Sequence, residues 1–279
     1  MSTFKIGEQM LSLSVIAEII AEERQLALGE KAKQKIQDCR DYLDKKMEQS
    51  DAPIYGINTG FGSLCNHKIS NTDLGQLQTN LVLSHSCGTG DKVPADVVKI
   101  MLLLKVQSLS YGHSGVQLQT VERLIEMFNK NILPVVFQQG SLGASGDLAP
   151  LAHLSLPLLG EGKVIVDGKE VETKTIMKSN GWEAIPLQSK EGLCLLNGTQ
   201  FMGAYGVWSL LKSQKLSYMA DMIGAISLEA FDGRYECFDE LIHMVRPHKG
   251  QLKTAENIRN FLEGSKIQAG KKEHVQDPY

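Results

Sequence analysis

The chain is organised around one stretch, Gly140-Ser141-Leu142-Gly143-Ala144-Ser145-Gly146-Asp147-Leu148-Ala149-Pro150. It follows the apolar run 132–137 and leads into the leucine-rich segment 148–159. Glycines let backbone groups approach one another closely, and the first turn of a helix offers unpaired N–H groups and the positive end of a dipole. The stretch therefore predicts a loop before a helix, at a place that favours electron-rich ligands.

Local sequence alone leaves three interpretations of residues 144–146 open. Ser145 could be an acyl-transfer nucleophile, although its surroundings lack the G-x-S-x-G spacing of a nucleophile elbow. The glycines could bind phosphate, although the Walker lysine and the G-x-G-x-x-G spacing are both missing. A tight turn without a chemical role explains the same residues, and locally it is the favoured interpretation.

Composition and charge narrow the class of ligand. The chain has 279 residues, which is enough for one large domain or two, and a net charge of −3. No basic excess exists to neutralise phosphates, so we expect a small soluble ligand and no nucleic-acid partner. Every long apolar stretch is interrupted by polar residues and the N-terminus has no signal pattern, so we expect no membrane association.

The cysteines indicate a reducing compartment. They are scattered and never form a C-x-x-C pair, which argues against a disulfide framework and against a zinc site. We therefore expect a cytoplasmic protein with no metal. The cysteines are Cys39, Cys65, Cys87, Cys194 and Cys237.

Hydrophobic periodicity predicts a mainly α protein. A helical head domain over residues 1–196, with one small β-hairpin, is expected to lead into the start of a long-helix bundle over residues 197–279. The hairpin is predicted at 163–171 with Asp167-Gly168 as its turn. Helices are predicted over 11–23, 30–49, 74–85 and 116–129, with Ser14 as the N-cap of the first. A buried helix is predicted to begin after Pro94. One long helix is predicted from about 193 to about 230.

The glycine stretch G-S-L-G-A-S-G-D-L-A-P-L-A-H at 140–153 resembles the signature of the aromatic amino-acid ammonia-lyases. Five further motifs resemble that family in the same order, so the similarity covers essentially the whole chain. They are Y-G-I-N-T-G-F-G at 55–62, L-V-L-S-H at 81–85, K-E-G-L-C-L-L-N-G-T-Q at 190–200, R-P-H-K-G-Q at 246–251 and Q-D-P-Y at 276–279.

The resemblance implies a prosthetic group made from the chain itself. In the family, residues matching Ala144, Ser145 and Gly146 cyclise into methylidene-imidazolone (MIO), and no external cofactor is needed. The Gly146 nitrogen would attack the Ala144 carbonyl, and two waters would be lost, the second from Ser145. Glycine has an unhindered nitrogen and alanine is small, so these residue types suit a tight ring.

The resemblance also implies roles for residues far from the loop. Tyr55 matches the base that removes the β-hydrogen of the substrate, and His85 matches the residue that contacts the substrate ring. Asn197 matches an asparagine that binds polar groups of the substrate, with a helix N-cap as its structural alternative. Gln276 and Tyr279 match a further pair in the pocket.

We expect two roles for Asp147 and a structural role for His153. Asp147 is expected to cap the following helix and to assist ring formation. His153 is expected to be structural, and Cys65 and Cys87 to be small fillers near the site.

The substrate follows from Ser84-His85, which resembles the selectivity pair of the histidine-acting members. The implied reaction removes ammonia from L-histidine to give trans-urocanate, and the implied assembly is a homotetramer. A tyrosine or phenylalanine ammonia-lyase, an aminomutase, and a catalytically silent fragment with an assembly role are the alternatives.

The end of the chain departs from the family pattern. Family members continue for about the same length again, and the arginine that binds the substrate carboxylate lies a few residues beyond Tyr279. We therefore expect a fragment of a larger enzyme that is not fully active alone, with apolar faces exposed over 201–262.

Overall fold

The computed structural model describes residues 2–49, 52–60, 67–70 and 73–277, and helices dominate it, which confirms the predicted mainly α fold. In chain order the helices are α1 Leu13–Ala21, α2 Glu30–Gln49, α3 Leu74–His85, α4 Ala95–Leu109, α5 Leu118–Asn129, α6 Leu148–Ser155, α7 Thr173–Asn180, α8 Glu191–Leu196, α9 Gln200–Ala230, α10 Glu240–Met244 and α11 Lys249–Phe261. Two short 3-10 turns cover Leu156–Leu159 and Tyr235–Phe238.

The strands are short and pair in small sheets. They are β1 Thr3–Ile6, β2 Gln25–Leu28, β3 Thr89–Lys92, β4 Leu133–Pro134, β5 Phe137–Gln139, β6 Lys163–Val166 and β7 Lys169–Glu172. β1 and β2 are parallel, β3 pairs with β5, and β4, β6 and β7 form an antiparallel sheet.

The predicted hairpin is confirmed. β6 and β7 pair with Val166 opposite Lys169, so Asp167 and Gly168 form the turn, with φ angles of 51° and 74°. Positive φ at both turn residues matches the right-handed twist of the flanking strands. The other strands were not predicted, because segments of two to four residues are too short to show an alternating pattern and no Asp-Gly turn marks them as it marks β6 and β7.

The chain divides into two compact units, Met1–Trp208 and Ser209–Tyr279. The first unit holds the large hydrophobic core, and α4 is its central helix because this helix is buried on almost every side. The domain boundary expected between residues 196 and 197 stays a prediction, since units defined by packing need not coincide with the domains of a family.

α1 and α5 are shorter than the predicted ranges 11–23 and 116–129, and two further differences have a direct physical cause. The N-cap of α1 is Ser12 and not Ser14, because the Ser12 hydroxyl accepts the N–H of Val15 at 3.3 Å. The long helix expected from 193 is broken into α8 and α9, since Gly198 has a φ of 145° that no helix accommodates. The prediction for α2 is confirmed at both ends.

Helices α3, α6 and α8 pack against one another and bring three distant segments to one place. The pairing of Thr89 with Gln139 in β3 and β5 places the end of α3 beside the glycine loop. At that point the backbones nearly touch, because a Cβ on Gly140 would lie 3.0 Å from the Cα of Gly88. These contacts position the candidate site.

The second unit has a small core and an apolar surface. Ala225, Ile258 and Leu262 are buried there, and the Asn257 amide donates to the Asp221 carboxylate at 2.8 Å. Among the described residues, no helix combines the length and apolarity needed to cross a bilayer. The exposed apolar side chains of α9 in this unit include Leu210, Leu216, Met219, Met222, Ile223 and Ile226.

Asn129, at the end of α5, completes the edge of the β1–β2 sheet. Its side-chain oxygen accepts the N–H of Leu26 at 2.8 Å, and its amide donates to the Leu26 carbonyl at 2.9 Å. The side chain therefore pairs with β2 as a neighbouring strand would, and it joins α5 to the parallel sheet.

Replacing Asn129 with alanine should lower the free energy of unfolding by about 1–3 kcal/mol, because two backbone groups of Leu26 lose their partner. Urea unfolding followed by circular dichroism measures the change. Gln37→Ala, on the exposed face of α2, is the control and should stay within about 0.5 kcal/mol of the unmutated chain. Equal midpoints for the two variants would contradict the assigned role.

Candidate active site

A cavity of about 490 Å³ brings together four of the predicted site residues, Tyr55, His85, Ser145 and Asn197. They come from four separate segments of the sequence. This volume suits a ligand of amino-acid size. The remaining wall is apolar and consists of Leu81, Leu148, Leu193 and Leu196.

The glycine loop makes a tight turn beside this cavity. The Gly146 N–H donates to the Gly143 carbonyl at 3.3 Å, so the chain folds back across Ala144 and Ser145. Gly143 and Gly146 have φ angles of 83° and 107°, which side chains disfavour. The Ser141 hydroxyl donates to the Gly146 carbonyl at 3.1 Å and closes the loop. The turn presents the side chain of Ser145 on an exposed surface.

Gly146 lies directly against the segment that joins α8 to α9. A Cβ at this position would be 2.5 Å from the Gly198 carbonyl oxygen, so only glycine fits. The next residue, Asp147, donates its N–H to that same carbonyl at 2.8 Å. The glycine turn and the Asn197 segment are therefore joined through backbone atoms.

Asp147 caps a different helix from the one that was predicted. It occupies the N-cap position of α6, yet its side chain makes no capping bond there. The carboxylate instead accepts the N–H of Met202 at 2.9 Å, in the first turn of α9. A carboxylate at this end of a helix interacts favourably with the dipole and satisfies one unpaired donor. Its assistance to ring formation stays a prediction.

The loop that carries Tyr55 is held by its own polar side chains. Asn58 accepts the N–H of Ile54 at 2.6 Å and donates to the Ala52 carbonyl at 3.0 Å. Thr59 accepts the N–H of Gly56 at 3.3 Å, and both polar side chains are buried. Asn58 and Thr59 thus build the turn, while Tyr55 lies at the cavity and is 57% exposed. Residues 61–66 of this region lie outside the described residues.

His85 is the last residue of α3, and its ring has a defined orientation. Nδ1 lies 2.9 Å from the Leu81 carbonyl oxygen and 3.2 Å from the Ser84 hydroxyl. Because a carbonyl only accepts hydrogen bonds, Nδ1 carries a proton in this arrangement. The neutral ring then presents Nε2 as an acceptor.

Asn197 forms the C-cap of α8, not an N-cap of α9. Its backbone is extended, with a ψ of 133°, and its N–H donates to the Leu193 carbonyl at 3.0 Å. The N–H of Gly203 bonds instead to the Thr199 carbonyl. The Asn197 side chain is thus not used as a helix cap, and the residue lines the cavity.

Lys105 of α4 lies behind Asn197 and is only 1% exposed. Its Nζ donates to the Cys194 carbonyl at 2.9 Å, the Asn197 carbonyl at 3.3 Å and the Gln200 side-chain oxygen at 3.4 Å. Burial lowers the pKa of Lys105 to about 8, because the charged form loses its hydration. Burial also raises the pKa of the Cys194 thiol to about 11, which disfavours the nucleophilic thiolate form.

His153 has the structural position that was predicted. It lies on α6, and its Nε2 accepts the N–H of Gly88 at 3.0 Å. Its ring meets Phe137 edge to face, with 5.1 Å between the ring centroids. Burial lowers the pKa of His153, since the charged imidazolium would lose its hydration there.

The remaining predicted residues are not placed in this cavity. Gln276 is exposed and belongs to the second unit, and Tyr279 lies outside the described residues, as does Cys65. Cys87 lines a neighbouring cavity of about 260 Å³ that also includes Ala144 and Gly146. Within the described part of the chain, no cluster of three His, Cys, Asp or Glu side chains is arranged to hold a metal ion.

The segments that form the cavity lie within a region that matches a known protein family. The family model "Aromatic amino acid lyase" matches residues 11–279. The chain belongs to the aromatic amino acid lyase family. The resemblance inferred from the six motifs is thereby confirmed.

Named members of the aromatic amino acid lyase family show how much of the fold is shared. A histidine ammonia-lyase of Caldanaerobacter subterraneus subsp. tengcongensis is 43% identical over 96% of this chain and 53% of its own length. The crystal structure of histidine ammonia-lyase from Trypanosoma cruzi has a TM-score of 0.84 at 34% identity, covering 93% of this chain and 50% of that one. Tyrosine aminomutase from Streptomyces globisporus has a TM-score of 0.89 at 33% identity, covering 95% of this chain and 50% of that one. The chain thus spans about half the length of the curated lyases it matches.

Two contributors to this candidate site were not predicted from the sequence. The Asp147–Met202 bond has no local pattern, because its partners are 55 residues apart. Lys105 did leave a signal, since it is a single charged residue inside the apolar run Met101-Leu102-Leu103-Leu104-Lys105-Val106 of a buried helix. A charge at such a position needs buried partners, which local sequence does not name.

The His153 ring should make this lyase chain less stable as the pH falls below the ordinary histidine pKa of about 6.5. The pKa of His153 is lowered in the folded state, so the unfolded chain takes up the proton first. The free energy of unfolding therefore decreases as the pH falls from about 6.5 to the lower pKa that His153 has in the folded chain.

Urea midpoints at about pH 7.5 and about pH 5.5 test this expectation. The loss between the two conditions should be smaller for His153→Gln than for the unmutated chain. His113→Gln, at an exposed histidine, is the control and should behave like the unmutated chain. An identical pH response in the His153→Gln variant would refute the assignment.

Proposed function

We propose that the protein containing this chain is an ammonia-lyase that converts L-histidine to trans-urocanate and ammonia. The observation that carries the proposal is the single cavity in which Ser145 of the tight turn is joined by Tyr55, His85 and Asn197. The names of relatives such as the Caldanaerobacter protein support the choice of substrate. The activity is assigned to the intact protein, since this chain spans about half of those relatives.

The turn at 143–146 fits the methylidene-imidazolone group proposed for Ala144, Ser145 and Gly146. The chain already folds back here, because the Gly146 N–H bonds to the Gly143 carbonyl, and Gly146 lies against Gly198 with no room for a side chain. Ring formation joins the Gly146 nitrogen to the Ala144 carbonyl carbon, with loss of two waters. When formed, the group supplies an electrophile for the amine of the substrate, and no external cofactor is required.

Tyr55 is proposed to take the β-proton of the substrate. Tyr55 lines the cavity and is 57% exposed, and its backbone lies in a turn closed by the side chains of Asn58 and Thr59. A base needs both reach and a defined position, and this turn provides them.

His85 and Asn197 are proposed to orient the substrate. Nδ1 of His85 is used by Leu81, so Nε2 is the acceptor for a ring N–H of histidine. Asn197 has both an amide donor and an acceptor for the polar groups of the substrate, and its backbone is fixed as the cap of α8. Gln276 and Tyr279 are proposed to add to this pocket in the assembled protein.

The second candidate is the same chemistry on tyrosine, as an ammonia-lyase or an aminomutase. A phenolic hydroxyl could also donate to Nε2 of His85, and the tyrosine aminomutase structure has a TM-score of 0.89 to this chain. Phenylalanine has no ring donor for that acceptor, so the phenylalanine-type reaction is disfavoured. An unmodified Ser145 would favour the remaining alternative, a catalytically silent fragment with an assembly role.

The proposal also covers the oligomeric state and the cellular compartment of the protein. The apolar side chains exposed along α9 support a homo-oligomer, with the tetramer of the family as the proposed state. The described cysteines, Cys39, Cys87, Cys194 and Cys237, are free thiols, which supports a reducing compartment such as the cytoplasm.

Ring formation predicts a mass deficit. The intact protein should lack the mass of two waters, located on the peptide that contains residues 144–146. Ser145→Ala should restore the unmodified mass because it removes the leaving hydroxyl, while Ser179→Ala, at an exposed helix position, should keep the deficit. Intact-mass and peptide mass spectrometry make the measurement, and an unmodified peptide in the unmutated protein would favour the silent fragment.

The substrate assignment predicts urocanate. The intact protein with L-histidine should produce the absorbance of urocanate, and His85→Phe should lower kcat/KM about 10- to 100-fold because the ring N–H loses its acceptor. His113→Phe is the matched exposed control and should keep the activity. Release of ammonia from L-tyrosine but not from L-histidine would replace the first candidate with the second.

A further inference from the structure

Lys105 is a cation in a place where a cation is costly. Its side chain is 1% exposed on the central helix α4, and the residues on either side of it along this helix are mostly buried and apolar. The three oxygens that it contacts are uncharged. Because a buried ammonium loses its hydration, a methionine of similar length would fill this space at a lower electrostatic cost. The position of Lys105 points to a role other than general core stability.

The ammonium holds the C-terminal end of α8. The last carbonyls of a helix have no partners within the helix, and a positive charge there also interacts favourably with the helix dipole. Lys105 satisfies the Cys194 carbonyl at 2.9 Å and the Asn197 carbonyl at 3.3 Å. It therefore fixes the backbone of Asn197 from the side of α4.

Asp147 holds the same connection from the other side. Its N–H donates to the Gly198 carbonyl at 2.8 Å, and its carboxylate accepts the Met202 N–H at 2.9 Å. The connection from Asn197 to Met202 is thus bonded to a cation through the Asn197 carbonyl and the Gln200 side-chain oxygen, and to a carboxylate through the Met202 N–H. The attraction of Asp147 for Lys105 partly offsets the effect of burial on the pKa of the lysine.

We propose that Lys105 is a positioning residue of the active site, which acts through the Asn197 backbone to set the place of the Asn197 side chain relative to Ser145. The expected effect of Lys105 on turnover rests on the proposed function. Its expected effect on the order of the Asn197 segment does not. Within the described residues, the hydrogen bonds that would still hold this backbone without the ammonium are the one from the Asn197 N–H to Leu193 and the one from Asp147 to the neighbouring Gly198. Misplacement of a polar group by about 1 Å can cost about 100-fold in rate.

The experiment compares the intact protein with its Lys105→Met, Lys105→Gln and Val98→Ala variants. The glutamine variant keeps a neutral donor and serves if the methionine variant does not fold. Val98 is buried on the same helix two turns away, so Val98→Ala supplies a loss of core stability without a change at Asn197. The measurements are the melting temperature, kcat and KM for L-histidine, and hydrogen exchange of the peptide that contains residues 193–200.

The expected result is a loss of about 10- to 100-fold in kcat for Lys105→Met, with a smaller change in KM and a melting temperature no lower than that of Val98→Ala. Exchange at 193–200 should be faster in Lys105→Met but unchanged in Val98→Ala. Unaltered exchange in the lysine variants, or a kcat no lower than that of Val98→Ala, would overturn the proposal.

The same measurements distinguish a wrong function from a wrong role for Lys105. If the unmutated protein does not convert L-histidine, the proposed function is wrong. The exchange of the 193–200 peptide still decides whether Lys105 holds the Asn197 segment. If the unmutated protein is active and the exchange does not respond to Lys105→Met, only the role of the lysine is wrong.

Discussion

The hydrogen bond from the Asp147 N–H to the Gly198 carbonyl, 2.8 Å long, joins the two segments on which the site depends. One segment is the glycine turn that carries Ser145, and the other is the connection that carries Asn197. The absence of a side chain at Gly146 is what allows them to meet, because a Cβ would lie 2.5 Å from the same carbonyl. This constraint sets the position of the first turn of α9, which is capped by the Asp147 carboxylate.

Charges fix α8 at both of its ends. Glu191 at the N-terminus is fully buried and accepts hydrogen bonds from the Gln117 N–H at 2.9 Å, the Thr120 hydroxyl at 2.7 Å and the Gln188 N–H at 2.8 Å. Lys105 holds the carbonyls at the other end. A carboxylate at the N-terminus and a cation at the C-terminus both interact favourably with the helix dipole. This helix of six residues is therefore held by side chains of α4 and α5 and of the connections beside them, and its end presents Asn197 to the cavity.

The cavity combines an apolar wall with a few polar groups from different elements. The apolar wall consists of Leu81, Leu148, Leu193 and Leu196, while Tyr55, His85 and Asn197 supply the hydrogen-bonding groups. Polar interactions are stronger where water is excluded, so few of them suffice to orient a small ligand. Fixed side chains serve this purpose well. The ring of His85 is bonded to its own helix, and the turn of Tyr55 is closed by Asn58.

Local patterns in the sequence determined α2, the hairpin turn at Asp167-Gly168 and the glycine turn at 143–146, since periodicity and glycine act over a few residues. The resemblance of the motifs to the family identified Tyr55, His85 and Asn197 as site residues. It did not predict which atoms these residues contact. The tertiary structure alone decided that Asp147 caps α9 and not α6, that Gly198 ends α8, and that Lys105 reaches the Asn197 carbonyl. The partners in the Asp147 and Lys105 bonds are 55 and 92 residues apart, and no local propensity selects a partner over such distances. Only the packing of α3, α4, α6 and α8 brings them within hydrogen-bonding distance.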